Sequence, residues 1–231
     1  TRLVSDWSSD VCSSDLGGVG AIQLVDESGA PVTRYPFALY SPDTQEWLAG
    51  GNEMIEVLSG TYDLRIESVP LIIMPVTIVT GETLNFPIPG TGTIQLVDES
   101  GALTSDYYFT VLDGETGEWI YDTNEPLPIL AGNYTVEIRI DPPLVVPAVV
   151  TADEITSVTV PPLGTLEILD ADGQPTDEYV DIYDTSENLL GGGAGIQYQL
   201  PAGIYIVRYS TGGASVEVEI IPGAVTQVQP E

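Results

Sequence analysis

The chain has 231 residues, 43% of them apolar, which is enough for packed cores and too many for a disordered polymer. Its 35 Asp and Glu face 5 basic residues, all Arg, giving a formal net charge of −30 that disfavours nucleic acid and anionic membranes as partners. With no His, no Lys and one Cys, His-based triads, Schiff-base and thiol chemistry and most zinc sites are excluded, so no enzyme activity is expected.

In chain order, the first stretch to interpret is Asp6–Leu16, DWSSDVCSSDL, which reads as one translated frame of a common short-read sequencing adapter. Residues 1–19 are therefore set aside as a non-native or disordered leader. Cys12 lies inside it, so no disulfide or thiolate site is expected. No apolar run approaches the roughly 18 residues needed to span a bilayer.

IQLVDESGA then runs from Ile22 to Ala30 and again from Ile94 to Ala102, an offset of 94 − 22 = 72 residues. A degenerate copy, Leu166–Gln174, follows after the same interval. A tandem array is the reading, with modules at 20–90, 91–163 and 164–231. Alternating apolar residues that stop at Asp-x-Ser/Asp-Gly predict a strand running into a tight turn, since Asp bonds its own backbone and Gly supplies positive φ. In the first module the further predicted strands are Tyr35–Tyr40, Glu46–Leu48, Met54–Leu58, Tyr62–Glu67, Pro75–Val79 and Leu84–Ile88. The segment beginning at Tyr62 alternates most cleanly, with Tyr62, Leu64 and Ile66 on one face. The second module repeats this order through Tyr107–Leu112, Trp119 and Tyr134, and the third through Tyr179–Tyr183 and Tyr205. Seven short strands per module with no helical period predict an all-β chain of three tandem Ig-like β-sandwiches. Proline-rich joints, Pro87–Gly90 and Pro161–Gly164, predict a rod with restricted bending.

Gly-x-[Ile/Leu]-x-[Val/Leu]-Asp-x-x-Gly opens each unit, and Ala/Ser-Gly-x-Tyr precedes each central strand. This pattern resembles bacterial prealbumin-like sandwiches, the carboxypeptidase regulatory-like and collagen-adhesin B-type (SpaA-like pilin) repeats, over about residues 20–231. The resemblance implies an extracellular or cell-surface microbial protein in which the modules act as stalk, spacer or filament part. The relatives' internal Lys–Asn isopeptide bond is excluded, because the sequence has no Lys.

Three sets of residues are candidates for function or structure. Asp26, Asp98, Asp170 and Asp172 recur at one end of each module and are candidate calcium ligands, though the glycine spacing favours a turn over the helix–loop–helix calcium loop. Trp47 and Trp119 occupy equivalent places, with Leu189 or Leu190 in the third module. Packing over the module's own core is the favoured reading, and a polysaccharide- or protein-binding aromatic surface is the alternative. Tyr62, Tyr134 and Tyr205, each two residues after Gly60, Gly132 and Gly203, are predicted to be structural, with buried rings and hydroxyls bonded to backbone. No cofactor is expected apart from calcium. The expected partners are neighbouring domains or other copies; an accessory region of a larger extracellular enzyme is the remaining alternative.

Overall fold

A computed structural model describes residues 17–194, 197–210 and 213–229, and the adapter-like stretch with Cys12 lies outside the described residues. Among the described residues there are strands and no helix. The first sandwich consists of β1 (Val19–Val25), β2 (Phe37–Tyr40), β3 (Trp47–Gly51), β4 (Ile55–Leu58), β5 (Gly60–Ile66), β6 (Ile72–Ile78) and β7 (Thr83–Pro87). Next come β8 (Thr91–Val97), β9 (Phe109–Asp113), β10 (Trp119–Thr123), β11 (Leu127–Leu130), β12 (Gly132–Ile138), β13 (Leu144–Val150) and β14 (Ile155–Thr159). The third set is β15 (Leu163–Ile168), β16 (Tyr179–Tyr183), β17 (Leu189–Ala194), β18 (Gln197–Pro201), β19 (Gly203–Tyr209), β20 (Ser215–Ile220) and β21 (Val225–Val228). Each set makes one three-stranded and one four-stranded sheet, in the orders β4-β1-β7 and β3-β2-β5-β6 and their equivalents. The chain divides into two compact units, Thr1–Gly90 and Thr91–Glu231, the second holding two sandwiches.

The repeated nonapeptide ends the central strand of each three-stranded sheet and makes the turn after it. β1 pairs antiparallel with β4 and parallel with β7, so Ile22 and Leu24 are covered completely, at 0% and 1% exposure. Gly20 is required beside them. A Cβ there would stand 2.3 Å from the Val79 carbonyl oxygen, and at Gly92 and Gly164 the same distance to Thr151 and Ile221. The backbone of the following turn occupies the space a side chain would take. The opposite face of each core comes from the four-stranded sheet. In the third sandwich Val180, Ile182 and Val207 are fully buried against Leu166, Ile168 and Leu200.

Val19 begins β1, one residue inside the expected leader. The sixth strand is also longer than expected, because Pro75 lies within β6, paired with Asp63, and Pro147 lies within β13, paired with Thr135. Both strands are at the edge of their sheet, where a missing N–H breaks no ladder bond on the outer side.

Candidate functional site

Asp26 closes the first turn from within. Its Oδ1 accepts from the Ser28 and Ala30 amides, both at 2.9 Å, and from the Ser28 hydroxyl at 2.6 Å, while Gly29 takes a φ of 82°. Asp98 does the same with Ser100 and Ala102, and Asp170 accepts from the amides of Asp172 and Gln174. The serine hydroxyl and then the alanine amide hold the Asp26 and Asp98 carboxyls below the usual carboxylate range. These oxygens are thus engaged in the turn. Among the described residues no three His, Cys, Asp or Glu side chains gather to hold a metal ion, and the calcium candidates remain separate, one turn to each sandwich.

The tyrosines make a second recurrent device. Tyr62, Tyr134 and Tyr205 donate to the carbonyls of Leu58, Leu130 and Pro201, at 2.6, 2.8 and 2.9 Å, each four residues upstream. The glycine two residues before leaves room for the ring, since a Cβ on Gly132 would lie 3.2 Å from the Tyr134 hydroxyl; Gly60 and Gly203 are likewise flanked by their tyrosine rings. Burial pushes the Tyr134 hydroxyl up to about 12, helped by the charge of Asp113, and also raises Tyr205. Tyr134 and Tyr205 are buried, whereas Tyr62 is only half-buried, contrary to expectation.

The tryptophans are not core residues. Trp47 is 61% exposed and Trp119 63%, each opening the edge strand of a four-stranded sheet beside a register shift that turns it away from the interior. Leu189 is the third counterpart, because it pairs with Tyr183 as Trp47 does with Tyr40 and Trp119 with Leu112. On the first sandwich Trp47, Tyr40, Gly50, Arg65, Glu67 and Leu71 line a groove of about 280 Å³. The Arg65 guanidinium lies 4.1 Å from the Tyr40 ring centre, a cation–π contact. An aromatic beside a guanidinium and a carboxylate is suited to stacking and hydrogen-bonding a sugar ring.

This arrangement is not copied. In the second sandwich Thr110 donates to Asp122 at 2.7 Å and Arg139 pairs with Asp122 at 2.6 Å, filling the face next to Trp119. The Thr110 hydroxyl, then Arg139, holds the Asp122 carboxyl low. In the third sandwich Arg208 stacks on Tyr183 at 4.3 Å and stands 3.3 Å from Glu187, but Leu189 replaces the indole.

The arginines belong to no motif that the sequence displays, yet each goes with one residue of the adjacent turn. Gln45 and Glu187 are non-glycine residues at positive φ, 58° and 63°, where the second sandwich has Gly117 at 71°. Arg65 donates to the Gln45 side chain and Arg208 pairs with Glu187, while the second sandwich, with glycine at the turn, has Glu137 in place of the arginine. A turn residue and a strand residue thus change together.

No protein-family model matches the chain, and no curated protein matches it in sequence. Among solved structures it is similar to the Bacillus anthracis TIE protein, at 18% identity and a TM-score of 0.27 over 93% of this chain and 50% of that one. The chain thus spans about half the length of that protein. It is similar to a minor pilin of Streptococcus agalactiae, at 10% identity and a TM-score of 0.30, covering 61% of this chain and 94% of the pilin. It is also similar to the major pilin subunit of Bacillus cereus, at 8% identity and a TM-score of 0.24, covering 93% and 99%. No helix of the described residues is long and apolar enough to cross a membrane.

Proposed function

We propose that the chain is a non-catalytic structural stretch of a secreted or cell-surface microbial protein, with modules 20–90, 91–163 and 164–231 acting as spacer, stalk or filament part. One observation supports this above the others. What recurs at the same place in all three sandwiches is what closes the fold: the Asp26, Asp98 and Asp170 turns, the Gly20, Gly92 and Gly164 approaches, and the Tyr62, Tyr134 and Tyr205 anchors. The outer face instead reads Arg65, Glu137 and Arg208 at one position. An array selected for a repeated ligand would repeat the ligand's contacts; this one repeats its frame. Mechanical extension of single molecules is expected to give one unfolding step per sandwich with closely similar gains in length. A single step for residues 20–231 would overturn the modular reading.

A second reading, a carbohydrate-binding surface, is favoured by the exposure of Trp47 and Trp119. A polysaccharide affinity screen separates the two. Binding lost in Trp47→Ala or Trp119→Ala supports a ligand surface, and no retention of any glycan removes it. Calcium is tested by melting at matched ionic strength, where the engaged turn carboxylates lead us to expect no shift beyond that of a monovalent salt.

A further inference from the structure

The third sandwich has a seat at one pole, and the hairpin tip of the second sandwich covers part of it. Leu190, Leu200, Pro201 and Tyr205 face the Pro142-Pro143-Leu144 hairpin tip across a gap of about 320 Å³. The fit is close enough that a Cβ on Gly191 would come within 2.7 Å of the Pro142 Cβ. Register identifies the same pole on the first sandwich. Val19 pairs with Leu58 as Leu163 pairs with Pro201, and Ser59 donates to the Gly18 carbonyl as Ala202 does to Pro162. Tyr62 bonds Leu58 as Tyr205 bonds Pro201. There the seat is an open groove of about 570 Å³ lined by Val19, Leu48, Ala49, Val57, Leu58 and Tyr62. Val19 and Leu58 are 50% and 59% exposed where Leu163 and Pro201 are half-buried, while Leu48 at 48% stays close to Leu190 at 40%. Tyr62 is half-buried, where Tyr205, under the hairpin, is 8% exposed.

We propose that this pole of the first sandwich is a docking seat for the proline-tipped hairpin of a like sandwich module joined ahead of Val19. Two considerations select a tethered module over a second free copy. The covered seat is met from within one chain, across the short Pro161–Gly164 joint. A contact made by one hairpin tip is small for two free proteins, whereas a short linker raises the effective concentration to the millimolar range. Ala49 stands where the occupied seat has Gly191, so its methyl seats the incoming ring slightly further out. An Ala49→Gly change therefore tightens the contact.

The test replaces residues 1–18 with a second copy of residues 91–162, which also removes Cys12, and follows maleimide labelling of Leu58→Cys. The comparison is the original chain carrying Cys12→Ser and Leu58→Cys. Labelling is expected to slow at least about tenfold in the extended chain and to recover when the added copy carries Pro142→Gly and Pro143→Gly. Equal rates, or protection that survives the glycine tip, would overturn the proposal. So would labelling of the unextended chain that slows with protein concentration, because the occupant would then be a second copy. A parallel arm needs no added module. Pro201→Cys, the counterpart of Leu58→Cys, should label faster in the Cys12→Ser chain once Pro142→Gly and Pro143→Gly are introduced, and an unchanged rate removes the precedent on which the seat rests.

Discussion

Glu187 sits at a φ of 63° with its carboxylate 3.3 Å from the Arg208 guanidinium, so the residue that strains the hairpin also anchors it. A left-handed conformation costs a non-glycine residue about 1–2 kcal/mol, and an exposed ion pair returns about 0–1 kcal/mol. Glu187→Gly is therefore expected to leave stability unchanged or to raise it by up to about 1 kcal/mol. Glu187→Ala keeps the strain, loses the pair and is expected to cost up to about 1 kcal/mol. Urea midpoints of the two variants check this, and equal losses would show that the backbone angle carries no strain.

Tyr134 tests the anchor. Its ring is 6% exposed and its hydroxyl reaches the Leu130 carbonyl at 2.8 Å. Removing the ring in Tyr134→Ala is expected to cost roughly 3–5 kcal/mol, and removing only the hydroxyl in Tyr134→Phe about 1 kcal/mol. A loss below about 1 kcal/mol for the alanine variant in chemical denaturation would mean the ring is not part of the core.

Gly92 and Gly101 lie in one repeat and differ in kind. A Cβ on Gly92 meets the Thr151 carbonyl oxygen at 2.3 Å, whereas at Gly101, with φ 82°, it meets nothing within 4 Å. Gly92→Ala must push two backbone segments apart and is expected to cost about 1–3 kcal/mol or more. Gly101→Ala carries only the left-handed penalty, about 1–2 kcal/mol, and should be the milder of the two by thermal melting.

Alkaline pH should loosen the second unit. Burial first, then the charges of Asp113 and Glu178, pushes Tyr134 and Tyr209 up to about 12 each. An unfolded tyrosine ionises near about 10, so the unfolded chain loses its protons first. The stabilisation is fully present below about pH 10 and is lost as pH rises through about 12. Denaturant midpoints across that window should fall, and the fall should shrink in Tyr134→Phe and Tyr209→Phe. Unchanged pH dependence in both variants would assign the loss to other groups.

The amino-acid order alone determined the class of fold and its threefold period. Alternation at Tyr62, Leu64 and Ile66 has one physical meaning, a half-buried strand, and Asp-x-Ser-Gly has one local solution, a self-closed turn. Local chemistry of this sort is complete within a few residues. Which way a large ring faces is not. Trp47 is written like a core residue, and only the register shift beside Tyr40 on an edge strand turns it to solvent. Pro75 is written like a strand breaker, and only its place at the outer rim of a sheet makes it harmless. The close approach of Thr151 to Gly92, the pairing of Glu187 with Arg208 and the seating of Pro142 over Gly191 join residues far apart in sequence. They exist only once the sheets have brought those residues together, so the tertiary structure decided them.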